Sequence, residues 1–375
     1  MATIQCTNCR RPYPEQGVPY RCPKCGGIFD FSIFPPYDPA RVEADLPRFH
    51  GQWRYRHTFG LPAGAPLITL GEGSTPLVWG QAFGRRVAFK LEYLNPTGSF
   101  KDRGSALLVS FLCSRGVSAA VEDSSGNAGA SFAAYAARAG LQARVFIPDS
   151  ASGPKRAQIE AYGAEIVRIM GPRSNAAQAV QRVVEQGSEA GLAYASHAYL
   201  PHVLPGYATL AYELVEQIEA VPGAVLIPAG QGNLLLSVGR GFEALRQAGV
   251  IAQLPVLVGV QARACAPLWA VSNYGMAGMG WVTEGNTLAE GVRIKHPMRG
   301  DAVLKMVVDS GGSFVVVDEA EILPGRDQLA RQGLYVEPTS AIVWNALEQV
   351  IGQIPDPVAV VLTGSGFKYR DKTGG

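Results

Sequence analysis

Long apolar runs are missing from this chain of 375 residues. No stretch reaches the roughly 20 uninterrupted apolar residues that a membrane-spanning helix needs. The opening segment, MATIQCTNCRRPYPEQG, lacks the apolar centre of a signal peptide. Net charge is scarce too: 33 lysines and arginines against 31 aspartates and glutamates leave a formal charge of +2. That balance offers no basic face to nucleic acid and no acidic tail. No internal repeat and no low-complexity block interrupts the chain. These absences predict a soluble, cytoplasmic protein that binds neither nucleic acid nor membrane. What remains is 47% hydrophobic content over a length that suits two or more domains.

Cysteine is sparse, with six residues, yet four of them cluster. Cys6, Cys9, Cys22 and Cys25 form C-x2-C-x12-C-x2-C, while Cys113 and Cys265 stand apart. Two C-x2-C knuckles can aim four thiolates at one tetrahedral zinc ion. Two disulfides are the alternative, and they need an oxidising compartment that nothing else here suggests. So small a ribbon cannot hold a core without its metal. Cys113 falls on an apolar helix face and reads as core.

Residues 32–66 are rich in proline and aromatics without a clean period, and read as a linker or arm packed across a larger body. From about residue 67, short apolar runs alternate with helical patterns. RRVAFKLEYL, SAAVEDSSGN, QARVFIPDS, AEIVRIMG, AVLIPAG, LPVLVGVQA and PVAVVLTGSG have strand length, whereas DRGSALLVSFLCSRG and AGASFAAYAARAG have helical spacing. Such alternation predicts α/β domains with mostly parallel, buried strands.

Ligands bind α/β proteins at loops that leave the carboxyl ends of strands. Three such loops stand out: DSSGNAG, PAGQGNLLL and TGSGFK. In the second, Gly230 and Gly232 would let backbone approach an anion, with the following helix aiming N–H groups at it. A dinucleotide fingerprint would need a third glycine where Leu235 stands, and an acidic residue where the next strand ends in Gln261. Phosphate is the better guest. Lys101, in NPTGSFKDRG at a helix entrance, adds an amine. An amine, a phosphate cradle, an S-S-G-N turn and a T-G-S-G turn together match what pyridoxal phosphate requires.

With those residues in view, the chain resembles a known family over nearly its whole length after the ribbon. LGEGSTPL, KLEYLNPTGSFKDRG, SSGNAGASFAAYAARAG, KRAQIEAYGAEIV, PAGQGN, EPTSA and LTGSG occur in the order seen in fold-type II pyridoxal phosphate enzymes of the tryptophan synthase β-like superfamily, most like the threonine synthases. The resemblance implies two three-layer α/β domains. Residues 1–31 would be the zinc ribbon, 32–106 with 201–375 the large cofactor domain, and 107–200 a small, mobile substrate domain. It implies that Lys101 is the Schiff-base lysine, that Asn127 bonds the cofactor O3′, and that Gly230, Gln231, Gly232 and Asn233 hold its phosphate. Thr363 would face the pyridine nitrogen, and Ser124, Ser125 and Gly126 the substrate carboxylate. Members are commonly homodimers.

The implied reaction converts O-phosphohomoserine and water to threonine and phosphate. Three positions depart from the threonine synthase pattern. Ala128 stands where a hydroxyl residue is usual, and Val203 and Ala208 where arginine and lysine are usual. A phosphate dianion without cations is costly to bury. Arg103, Lys155 and Arg156 are candidate replacements. Otherwise the cofactor serves β-elimination or β-replacement on serine, threonine or phosphoserine. A third reading is a zinc-ribbon interaction protein with a non-catalytic body. His197 and His202 read as structural histidines as readily as catalytic ones, and Glu319 with Glu321 as a solvated helix start.

Overall fold

The computed structural model describes residues 3–149, 153–171, 173–186 and 191–370. Its strands in chain order are β1 (Thr3–Cys6), β2 (Phe29–Ile33), β3 (Leu77–Ala82), β4 (Arg85–Lys90), β5 (Ala119–Glu122), β6 (Gln142–Pro148), β7 (Glu165–Ile169), β8 (Leu192–Tyr194), β9 (Ala224–Pro228), β10 (Val256–Ala262), β11 (Ser313–Val317) and β12 (Val358–Val361). The expected α/β class is the class observed, with helices following nearly every strand after β4. Two compact units emerge. One comprises residues 1–72, 101–206 and 370–375, and the other residues 73–100 and 207–369.

In the first unit, β5 to β8 form a four-stranded sheet in the order β7-β6-β5-β8, every pair parallel. The helix Asn127–Ala139 follows β5 because small residues (NAGASFAAYAARA) let it lie close, and it is buried continuously from Ala128 to Ala136. Gly140, in the left-handed region at φ 69°, ends it. β1 and β2 pair antiparallel beside the cysteine knuckles. The proline-rich arm forms a helix, Pro39–Asp45, capped by the Asp38 side chain, and a 3-10 segment, Gly51–Thr58.

One carboxylate ties that arm down. Glu72 is fully buried and accepts from Trp53 Nε1 at 2.7 Å, Tyr135 OH at 2.7 Å, Gln52 Nε2 at 3.2 Å, Thr69 Oγ1 at 3.2 Å and the Leu70 amide at 3.0 Å. Burial, first, and the nearby carboxylates hold the Tyr135 hydroxyl well above its usual range, so it stays a donor.

The second unit is a six-stranded sheet in the order β11-β10-β9-β12-β4-β3. All pairs are parallel except the β3–β4 hairpin. Val- and Ile-rich strands buried on both faces give this sheet its core, including Leu226, Val258, Val260, Val358 and Val360. Lys90, at the end of β4, is buried with Glu213 at 2.6 Å and also donates to the Thr75 carbonyl and Gln217 Oε1. Glu321 does more than sit in solvent. It reaches back to the Asp318 amide at 3.0 Å and caps the helix Glu319–Arg331.

Candidate active site and metal centre

The loop after β9 is shaped by what cannot fit beside it. A Cβ on Gly230 would lie 2.5 Å from the Gly291 carbonyl oxygen. Gly232 has φ +76°, and a Cβ there would meet Val303 Cγ2 at 2.6 Å. The helix Asn233–Gln247 starts immediately, with no capping side chain at Gly232. Its first amides therefore suit an anion. The Gln231 side chain is held by a neighbouring segment, its Oε1 accepting from the Met298 amide at 3.0 Å. Gln261, which stands where a dinucleotide site would want an acid, is a brace: Nε2 donates to the Ala229 carbonyl at 2.9 Å and Oε1 accepts from the Trp269 amide at 3.0 Å.

The TGSG turn follows β12 in the same unit. The Thr363 amide donates to Ser340 Oγ at 2.9 Å, and its carbonyl accepts from the Phe100 amide at 3.1 Å. Its hydroxyl is buried with no hydrogen-bond partner among the described residues. An orphaned buried hydroxyl costs roughly 1–3 kcal/mol, and a ligand nitrogen would relieve it. Ser99 pairs with Gly364, Ser365 donates its amide to the Gly98 carbonyl, and Lys368 Nζ reaches the Thr97 carbonyl at 2.7 Å. The NPTGSF segment is thus zipped to the TGSG turn up to Phe100. The next residue in the chain is Lys101.

In the first unit Lys101 opens the helix Lys101–Ser114 and is half-buried. Its neighbours hold the helix start in place: Asp102 accepts from Ser131 Oγ at 2.6 Å, and the Arg103 carbonyl accepts from Gln52 Nε2 at 3.1 Å. The turn Ser124–Gly126 leaves β5, with the Gly126 amide donating to Ser124 Oγ at 3.2 Å. Asn127 is the first residue of the next helix. A Cβ at Gly129 would fall 1.8 Å from the Ser124 carbonyl oxygen, so only glycine lets the turn close.

The departures from the threonine synthase pattern are structural as well. Ala128, Val203 and Ala208 are all buried. Of the replacement cations, Arg156 is paired with Glu160 at 2.9 Å and Arg103 is fully buried. His202 stacks on Phe111 with ring centroids 3.5 Å apart, a packing role. His197 differs, since its Nδ1 meets the buried Glu122 carboxylate at 2.7 Å. Glu122 was not singled out from sequence, although a carboxylate closing the apolar run SAAVE was the available signal.

Residues 68–364 match the family of pyridoxal-phosphate dependent enzymes. The chain belongs to that family. Its relatives include the threonine synthase of Methanocaldococcus jannaschii, 30% identical and aligned over 98% of this chain and 93% of that protein. The threonine synthase of Synechocystis sp. is 33% identical, covering 91% of this chain and 89% of the relative. Among solved structures, a threonine deaminase from T.th. superposes with a TM-score of 0.66 at 27% identity, over 79% of this chain and 94% of the other. Maize serine racemase, at 22% identity and a TM-score of 0.65 over 78% of this chain and 88% of the other, shares the fold.

The glycine cradle, the uncapped helix start and the orphaned Thr363 hydroxyl fit pyridoxal phosphate, as the family requires. This pyridoxal-phosphate-dependent enzyme also carries a compact thiol cluster. The sulfurs of Cys6, Cys9, Cys22 and Cys25 lie within 4.8 Å of one another, and all four are free thiols. The nearest pairs, Cys6–Cys25 at 3.5 Å and Cys9–Cys22 at 3.6 Å, are far beyond a disulfide bond. The two knuckles mirror each other: the Arg10 amide returns to the Cys6 carbonyl and the Gly26 amide to the Cys22 carbonyl, with Arg10 and Gly26 both at positive φ. Burial opposes ionisation of Cys22, but the Lys24 and Cys25 amides and the neighbouring thiols outweigh it and lower its pKa. The Gly27 amide favours a Cys25 thiolate, yet the other sulfurs raise its pKa. Cys22 ionises readily and Cys25 resists, and a bound dication would favour both thiolates.

Proposed function

We propose that the enzyme is a threonine synthase-type lyase that converts O-phosphohomoserine and water to threonine and phosphate. The observation carrying this reading is the alignment of relatives named threonine synthase over as much as 99% of the chain. Pyridoxal phosphate, when bound, supplies an electron sink for negative charge developed next to the substrate amine.

The chain's own groups divide the remaining work. Lys101 would anchor the cofactor aldehyde and would carry protons between Cα and Cβ of the substrate. Asn127 would hold O3′, the amides of Gly230, Gln231, Gly232 and Asn233 would hold the phosphate, and the Thr363 hydroxyl would face the ring nitrogen. A hydroxyl there, unlike a carboxylate, would leave that nitrogen unprotonated and would moderate the sink. Ser124, Ser125 and Gly126 orient the substrate carboxylate.

Purified enzyme incubated with O-phosphohomoserine, phosphoserine, serine and threonine separates the possibilities. Threonine and equimolar phosphate are expected from O-phosphohomoserine alone. Buried, apolar Val203 and Ala208 favour a second reading, β-elimination or β-replacement on serine, threonine or phosphoserine. Keto acid from those substrates, with no threonine from O-phosphohomoserine, would establish it instead. Membership of an enzyme family sets aside the non-catalytic interaction protein.

The thiol cluster is assigned to structural zinc on the same terms. Tyr13, between the knuckles, packs edge-on against Phe29 and His202, and Arg21 donates to the Tyr199 hydroxyl at 2.7 Å. Loss of the ion should therefore loosen more than the ribbon. Metal analysis of a Cys6→Ser/Cys22→Ser protein should show about one zinc per chain fewer than wild type. Unchanged zinc content refutes the site.

A further inference from the structure

Glu122 and His197 form a pair that the reaction, as assigned above, does not use. Glu122 is the last residue of β5 and is 1% exposed, while the His197 side chain is 15% exposed. The two strands that deliver them, β5 and β8, are parallel neighbours, and the Ala195 amide continues their pairing to the Val121 carbonyl at 2.8 Å. The chain therefore leaves both strands at one edge of the sheet. From β5 comes the Ser124–Asn127 turn assigned to the substrate carboxylate and cofactor O3′. From β8 comes Ser196–Val203, with His197 at its start.

That second segment is rigidly seated. The Leu200 amide donates to the Ser196 carbonyl at 2.9 Å, Tyr199 receives Arg21, and His202 stacks on Phe111. Beside Glu122, Asp123 accepts from the Tyr194 hydroxyl at 2.8 Å, which occupies that neighbouring carboxylate. The imidazole meets the Glu122 carboxylate through Nδ1.

Two roles suit an imidazole at this edge: a cation for the substrate phosphate, or a proton carrier. The charge count decides between them. Glu122 cancels an imidazolium, so the pair offers a dianion little net attraction. The same carboxylate fixes Nδ1 as the protonated nitrogen and Nε2 as the basic one, the arrangement that suits proton transfer. We infer that His197 is the general base for the water that adds at Cβ, with Glu122 its positioning residue. This rests on the threonine synthase-type reading. In the step, the water oxygen bonds to Cβ and its proton passes to Nε2. The electron pair of the Cα–Cβ double bond moves to Cα, where Lys101 returns a proton. Exchange with solvent then restores both groups.

A base needed only for water addition leaves phosphate departure alone, and that split is the test. Cofactor-loaded His197→Gln, whose amide can still donate to Glu122, is given O-phosphohomoserine while phosphate, threonine and 2-oxobutanoate are measured. Phosphate release should stay within about threefold of wild type, while threonine falls about 100-fold. The missing product should appear as 2-oxobutanoate and ammonia, from hydrolysis of the unhydrated amino acid. Glu122→Gln should divert product the same way, with threonine down about tenfold.

An unchanged ratio of threonine to phosphate in His197→Gln overturns the proposal, as does a parallel fall of both products. Should that variant not fold, Glu122→Gln decides by the same ratio. Wild type that releases phosphate but makes no threonine, or neither, defeats the threonine synthase reading itself. That outcome is distinct from an active wild type whose variants keep the normal ratio.

Discussion

Lys101→Ala should fold, bind no cofactor covalently, and turn over at least ~10³-fold more slowly than wild type. The size follows from two losses in one side chain, the proposed covalent anchor and the proposed proton carrier. The fold should survive because the structural bonds at this helix start belong to its neighbours, Asp102 with Ser131 and the Arg103 carbonyl with Gln52. Borohydride treatment of wild type should fix a pyridoxyl group on the peptide containing Lys101, and peptide mapping reads it directly. A label on another lysine, Lys90 or Lys368 for instance, would overturn the assignment. Both are already committed, Lys90 to Glu213 and Lys368 to the Thr97 carbonyl.

Glu72→Ala should cost about 3–5 kcal/mol of stability, since each buried donor left without its acceptor costs roughly 1–3 kcal/mol. Five donors converge on this one carboxylate from residues 52, 53, 69, 70 and 135. Removing it leaves the Trp53 indole, the Tyr135 hydroxyl and the Leu70 amide without their acceptor, where water cannot easily reach. The denaturant midpoint should fall while the slope of the transition is kept. Glu72→Gln is the informative companion. Its amide oxygen can accept from two donors, but its NH2 would face others, so most of the loss should remain. A shift below about 1 kcal/mol in Glu72→Ala would mean that the donors find new partners.

The sequence made some of this legible and hid the rest for physical reasons. Apolar runs bounded by turns announced β4, β5, β6, β7, β9, β10 and β12; the clearest are β9 and β12, which are buried at every position and so apolar throughout. β8 is three residues long and β3 is an edge strand with a mixed pattern of exposure, so neither carries such a signature. Glycines 230 and 232 were readable because a tight backbone approach permits nothing else. The role of Gln261 was readable only as the absence of an acid, since its two partners come from separate segments. Glu122 and His197 are 75 positions apart, and no local pattern joins them. The same holds for Glu72: LGEGSTPL marked the loop, but not the donors that meet on its carboxylate.

The order β11-β10-β9-β12-β4-β3 carries a consequence for how a ribosome makes this protein. The strand seated between β9 and β4 is the last to be translated. Until Val358–Val361 emerges, the β3–β4 hairpin has no link to β9–β11, and one edge of each half stays bare. Nascent chains stalled short of that point would therefore expose apolar edges such as Val87 and Phe89 to aggregation or chaperone capture. A stop codon just before β12 would remove the strand that joins the two halves of the sheet.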